Sequence, residues 1–198
     1  MRFEDPGYRK SLSETLHQAY KRANLDLVVV QAYPVLRLLL DYRDQMFPGV
    51  PIVFIGVVSD RIPREKMTGV TGVTTAADIR GSLNLALRLH PDTQNVALIG
   101  GVSEFERYWD EAFRQEFRLH HSDLNLIQLV GPPDSHMLGQ VFELPAHTIV
   151  FVQLATQDSA QPVLSADDLL AAVSRHFPTY CIFDICIEHG GVGGSYPD

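Results

Sequence analysis

The chain has 198 residues, of which 45% are hydrophobic and 20% charged, a balance that fits a folded globular protein and excludes disorder and fibrous repeats. Its net charge of −8 and the lack of any long basic run exclude a nucleic-acid surface, which needs clustered Lys and Arg facing phosphates. The apolar stretches around Val28 to Val30 and Val35 to Leu40 are interrupted by Gln31, Pro34 and Arg37, too soon for a membrane span, and the polar stretch Met1 to Lys10 is not a secretory leader.

Short β-rich runs alternate with helical stretches along the chain. Leu25 to Gln31 (LDLVVVQ) has the length and composition of a buried strand. Pro34 opens a helix in which Val35, Leu38 and Leu39 share one face, and Phe47-Pro48-Gly49 stops it. Pro51 to Val58 is the second strand, and the polar stretch from Ser59 to Met67 reads as a connection. A short β run, Gly69 to Thr74, leads into a helix over Asp78 to Leu89 with Ile79, Leu83, Ala86 and Leu87 inward, ended by Pro91.

Asn95 to Gly100 (NVALIG) is a strand, and Ser103 followed by Glu106 is a capping box that satisfies free amides of a first helical turn. Phe105, Trp109, Phe113 and Phe117 then recur every four residues, a stripe expected to face a sheet. Leu124 to Val130 and Thr148 to Leu154 are strands, with a weaker helix at Ser135 to Phe142 between them. Ser165 caps a helix carrying Leu169, Leu170, Val173 and Phe177, and Tyr180 to Ile187 reads as a last strand. As a strand, that run would put Cys181 and Cys186 on opposite faces, so they are expected to be unpaired apolar fillers.

Strands alternating with helices imply parallel sheets with right-handed crossovers. The polar break divides the chain into a first lobe over residues 1–60 and a second over 61–198, with ligand binding expected in a cleft between them. Parallel strands deliver functional residues to their carboxyl ends. Those ends carry Tyr33, Gly56, Gly101, Ser103, Phe105, Gln153 and Asp184, the expected ligand-binding residues. Gly100-Gly101 before the capped helix would let a carboxylate or phosphate approach free helix amides, or simply form a tight turn. Tyr33 and Phe105 stack on a ligand or pack. Asp184, a charge inside an apolar run, receives a ligand ammonium or hydroxyl, or caps a loop.

His189 to Ser195 is rich in glycine but lacks the Lys-Ser/Thr ending of a phosphate loop, and reads as a hinge or a close approach of backbone. The eight histidines form no metal-ligand pattern, and neither a GxSxG elbow nor an HExxH is present. No catalytic residue, metal or cofactor is therefore expected.

Taken in order, Leu25 to Val30, Phe47 to Phe54, Val70 to Val73, Asp78 to Thr93, Val96 to Gly101, Phe183-Asp184 and Gly190 to Gly194 resemble the substrate-binding proteins of ABC transporters with the type I periplasmic-binding-protein fold. The likeness is nearest to the branch that serves as extracytoplasmic input domains of bacterial sensor histidine kinases. The resemblance implies a two-lobed α/β fold of parallel sheets flanked by helices, trimmed at both ends. The first lobe would be incomplete, and the Gly-rich end would begin the return to it. It also implies a small organic ligand as partner, a periplasmic location and a parent protein anchored in the inner membrane; a homodimer is left open. The alternatives are a free solute-binding protein of a transporter and a small doubly wound enzyme.

Overall fold

The structure, a computed structural model, describes residues 5–153 and 164–196. The chain divides between Ala76 and Ala77 into two compact units, each built on a parallel sheet. This moves the boundary from the expected 60/61. The strand Val70–Thr75 pairs with Ile52–Val58, and that pairing keeps everything up to it in the first unit.

In the first unit, helix α1 (Pro6–Tyr20) starts at Asp5, whose side chain accepts from the Gly7 amide, with Pro6 in the first turn where its missing N–H costs nothing. Strand β1 (Val28–Gln31), helix α2 (Tyr33–Met46), β2 (Ile52–Val58) and β3 (Val70–Thr75) follow, and the sheet order is β1-β2-β3. The core consists of Leu36, Leu38, Leu39 and Met46 of α2 against Val30, Ile52, Phe54 and Val70, and Leu12 and Leu16 of α1 join it. Side chains alternate across a strand, so Val29, Ile55 and Val73 point to the opposite face, where they are 60%, 40% and 68% exposed. The stretch read as a polar connection forms two short 3-10 turns, Ser59–Arg61 and Arg64–Lys66.

In the second unit the elements are α3 (Ile79–Leu89), β4 (Asn95–Gly100), α4 (Glu104–His120), β5 (Asn125–Val130), α5 (Ser135–Phe142), β6 (Thr148–Val152), α6 (Ala166–Ser174) and β7 (Thr179–Cys181). All strand pairs are parallel, in the order β5-β4-β6-β7. Every residue of β4 and β6 is buried, which explains why they read as continuous apolar runs rather than alternating ones. On one face Ala97, Ile99, Val150 and Val152 pack with Met137, Val141, Leu169, Leu170 and Val173 of α5 and α6. The stripe on α4 is inward as expected: Trp109, Phe113 and Phe117 are buried, and the Phe113 ring lies 5.0 Å from that of Phe151.

The last strand is shorter than its sequence suggests. The chain leaves β7 after Cys181 and winds into a 3-10 turn over Asp184–His189. That turn brings the Cys186 Cα to 5.9 Å from that of Cys181, and the two are joined in a disulfide. The expectation that they cannot pair fails because it assumed an extended backbone between them. Beyond the turn the glycine-rich segment runs back beside β7, the Val192 amide donating to the Thr179 carbonyl and the Cys181 amide to that of Gly193. Gly191 is required there: a Cβ on it would lie 2.6 Å from the Cys186 Cβ.

Candidate functional site

From β4 the chain passes to β5 on one side and then crosses to β6 on the other. The connections therefore diverge at the carboxyl ends of β4 and β6, the place where open parallel sheets form a ligand crevice. Gly101, Ser103, Phe105 and Gln153 of the expected set all lie at these two strand ends.

Ser103 caps α4. Its hydroxyl accepts from the Glu106 amide at 3.1 Å, and the Glu106 carboxylate accepts from the Ser103 amide at 2.8 Å. Glu106 is 1% exposed, and a Cβ on Gly101 would come within 2.0 Å of its Oε1. The chain's own carboxylate thus fills the place that the sequence offers to a ligand's carboxylate or phosphate. Gly101 is there to make room for that carboxylate.

Gln153, buried to 2%, has a similar inward role. With its amide oriented to match its surroundings, its nitrogen donates to the Glu106 carbonyl at 3.1 Å and its oxygen accepts from the Asp110 amide at 3.0 Å. It ties the end of β6 to the first turns of α4. Asp110, one turn further along, pairs with Arg114 at 3.1 Å, and burial still pushes its carboxyl above the usual range.

Phe105 is half-buried and meets a residue that the sequence pattern did not single out as a ring partner. Its ring stacks with that of Phe183 (centroids 6.3 Å apart, 21° between planes), and Trp109 sets its edge against Phe183 at 5.1 Å. Phe183 reaches this position because the chain turns after β7. Asp184 begins the 3-10 turn instead of continuing a strand, and its side chain lies outside the described residues.

The two remaining expected residues belong to the first unit, at the carboxyl ends of β1 and β2. Tyr33 opens α2 and is half-buried, with the Arg61 guanidinium 4.3 Å over its ring. Gly56, at φ 65°, forms a bulge that shifts the β2–β3 register between Ile55 and Val57.

At the opposite, amino-terminal edge of the second sheet, a cavity of about 310 Å³ is lined by His90, Asp92, His147, His176 and their neighbours. His147 Nδ1 lies 2.9 Å from Asp92, and His90 Nε2 lies 3.1 Å from the buried Tyr180 hydroxyl. Among the described residues, no three His, Cys, Asp or Glu are grouped so as to hold a metal ion, and no helix is long and apolar enough to cross a membrane.

No family model matches the chain, and no curated protein does. Solved structures do. A conserved domain protein from Vibrio cholerae superposes with a TM-score of 0.68 at 14% identity, over 95% of this chain and 64% of that one. The fold is that of the type I periplasmic binding proteins. An ABC domain from Streptococcus pneumonia in complex with L-Trp gives 0.60 at 16% identity, over 94% of this chain and 63% of its own. An extracellular ligand-binding receptor from Verminephrobacter eiseniae gives 0.53 at 12%, over 87% and 49%. The chain spans less than two thirds of the length of each of these structures.

Proposed function

We propose that this chain is a ligand-binding domain for a small organic molecule, working outside the cytoplasm as the input segment of a bacterial signalling protein and carrying no catalysis of its own. The observation that carries this reading is the divergence of the β4 and β6 connections at the carboxyl end of the second sheet. Parallel sheets with such a switch point bind small molecules outside the carboxyl ends of their strands. The Cys181–Cys186 disulfide supports an oxidising, extracytoplasmic compartment, since such bonds are rare in reducing cytosol. Inner-membrane anchoring and a histidine kinase output belong to the same proposal and rest on the sequence resemblance.

A second reading, a solute-binding protein of an ABC transporter, is favoured by the L-Trp complex and the ligand-binding receptor that share the fold. The flanking reading frame separates the two. A sensor continues into a membrane helix and an output module, whereas a transport component stands alone beside permease genes. Binding itself is tested by native mass spectrometry against amino acids, nucleobases, small acids and quinones. A screen in which none of these classes forms a complex overturns the proposal.

A further inference from the structure

The four-stranded sheet of the second unit ends on β5 at one side and on β7 at the other, and the chain treats the two edges differently. Along β7 the glycine-rich segment takes up outer backbone groups: the Val192 amide donates to the Thr179 carbonyl, and the Cys181 amide to that of Gly193. Among the described residues no strand or bridge pairs with the outer side of β5. The Asn125 and Gly131 amides donate inward, to the Gln94 and Gly100 carbonyls. The odd-numbered residues therefore face β4, and the backbone N–H and C=O groups of Leu126, Gln128 and Val130 point outward. An open edge is a template for another strand, and proteins normally blunt it with a charge, a proline, a bulge or a short length. β5 has none of these: Asn125 to Val130 (NLIQLV) runs in unbroken register with β4 over six residues. In the first unit, by contrast, β1 has only four residues and β3 carries Gly72 at mid-strand.

We propose that β5 pairs with β5 of a second copy of this chain, antiparallel about a two-fold axis through Gln128, so that the two sheets join into one. The register follows from the outward groups. In an antiparallel pair, the residues that exchange both hydrogen bonds are those whose N–H and C=O face the partner. An axis at Gln128 sets that residue against its own counterpart and Leu126 against the partner's Val130, which uses all three outward residues. Opposed residues lie on the same face of the sheet, so every pair is apolar with apolar or amide with amide. Leu126 and Gln128 line a groove of about 380 Å³ together with Phe117 and Arg114 of α4. Val130, 52% exposed on the free chain, would come to lie on that groove's side, opposite Leu126. The net charge of −8 makes copies repel in general, but no residue of β5 is charged, so pairing desolvates no ionised group of the strand. This self-matching is the reason to name a second copy. An unrelated extended segment would have to be apolar at the same alternate positions, whereas β5 meets that requirement with its own sequence.

Sedimentation of the 198-residue chain from about 1 μM to 1 mM tests the pairing. The weight-average mass is expected to rise from the monomer's 22.1 kDa toward twice that value. Val130→Lys, which puts a cation on the open edge, is expected to remain monomeric throughout. Cysteine crosslinking reads the register separately, since Cys181 and Cys186 are already bonded to each other and fully buried. Opposed residues of such a pair have Cα atoms about 5.5 Å apart, within disulfide reach. Gln128→Cys is therefore expected to form a covalent dimer on mild oxidation, whereas Leu126→Cys, roughly 14 Å from its counterpart, is not. Val130 and Gln128 are both exposed, and either variant decides alone if the other fails to fold. A parent that stays monomeric across the range overturns the proposal and leaves the edge to an extended segment of another protein. A dimer unaffected by Val130→Lys, or one in which Gln128→Cys does not crosslink, places the contact elsewhere and overturns it as well.

Discussion

The Ser195 hydroxyl donates to the Asp78 carboxylate at 2.7 Å, joining residues 117 positions apart. Asp78 also caps α3 by accepting from the Gly81 amide at 2.8 Å, and the Ser195 amide donates to the Ser82 hydroxyl at 2.9 Å. The segment that follows the glycine-rich run is thereby fastened to the first turn of α3.

These bonds favour the charged carboxylate, and the Ser195 hydroxyl, followed by the Gly81 amide, holds Asp78 below the usual carboxylate range. A depressed folded-state value means stability that is present above the unfolded value and is lost as pH falls through the folded one. Ser195→Ala should raise the Asp78 pKa toward the ordinary range and cost about 1 kcal/mol. NMR titration of the Asp78 carboxyl, with amide exchange at Gly193 to Tyr196, reads both effects. An unmoved titration would show that the hydroxyl bond contributes nothing.

His121 gives an acid-side effect at higher pH. It is 9% exposed, its Nε2 has no partner among the described residues, and burial lowers its pKa. The folded state prefers the neutral ring. Stability is therefore complete above the unfolded value of about 6.5 and declines as pH falls through the depressed folded value. Melting temperatures measured from pH 7.5 to 5 should fall less steeply in His121→Phe than in the parent. Parallel curves would place the pH dependence elsewhere.

Gly101→Ala should be among the most damaging single-methyl additions. The new Cβ would collide with the Glu106 carboxylate and break the reciprocal cap of α4, at a cost of roughly 1–3 kcal/mol. Urea denaturation measures it. A midpoint equal to that of the parent would mean that the carboxylate moves aside freely.

The Cys181–Cys186 bond closes a short loop, for which chain entropy predicts roughly 2 kcal/mol. A reductant should lower the melting temperature of the parent and leave Cys181→Ala/Cys186→Ala unaffected. Two thiols titrating in the untreated, unfolded protein would refute the bond.

The strands were the most legible part of the sequence. NVALIG and TIVFV are buried along their whole length, and an uninterrupted apolar run is the signature of a central parallel strand. Helix α1 was missed because its packing rests on little more than Leu12 and Leu16 amid polar residues, too few to mark a period. Tyr180 to Ile187 reads as a strand because a buried turn can be as apolar as one; Asp184 is its one interruption, and it marks where the turn begins. Gly56, isolated inside a strand pattern, could have been read as the bulge it is. At the site, sequence order placed Gly101, Ser103 and Gln153 at strand ends. Only three dimensions show that their polar groups satisfy α4, and that Phe183 comes to lie on Phe105.

The apolar face formed by Val29, Ile55 and Val73 affects how this protein can be assayed. Reporter dyes that brighten on greasy surfaces will bind there before any heating, which raises the baseline and flattens the melting signal. The intrinsic emission of Trp109 avoids that background. It is the chain's single tryptophan, and it lies buried against the Phe105 and Phe183 rings, away from that face.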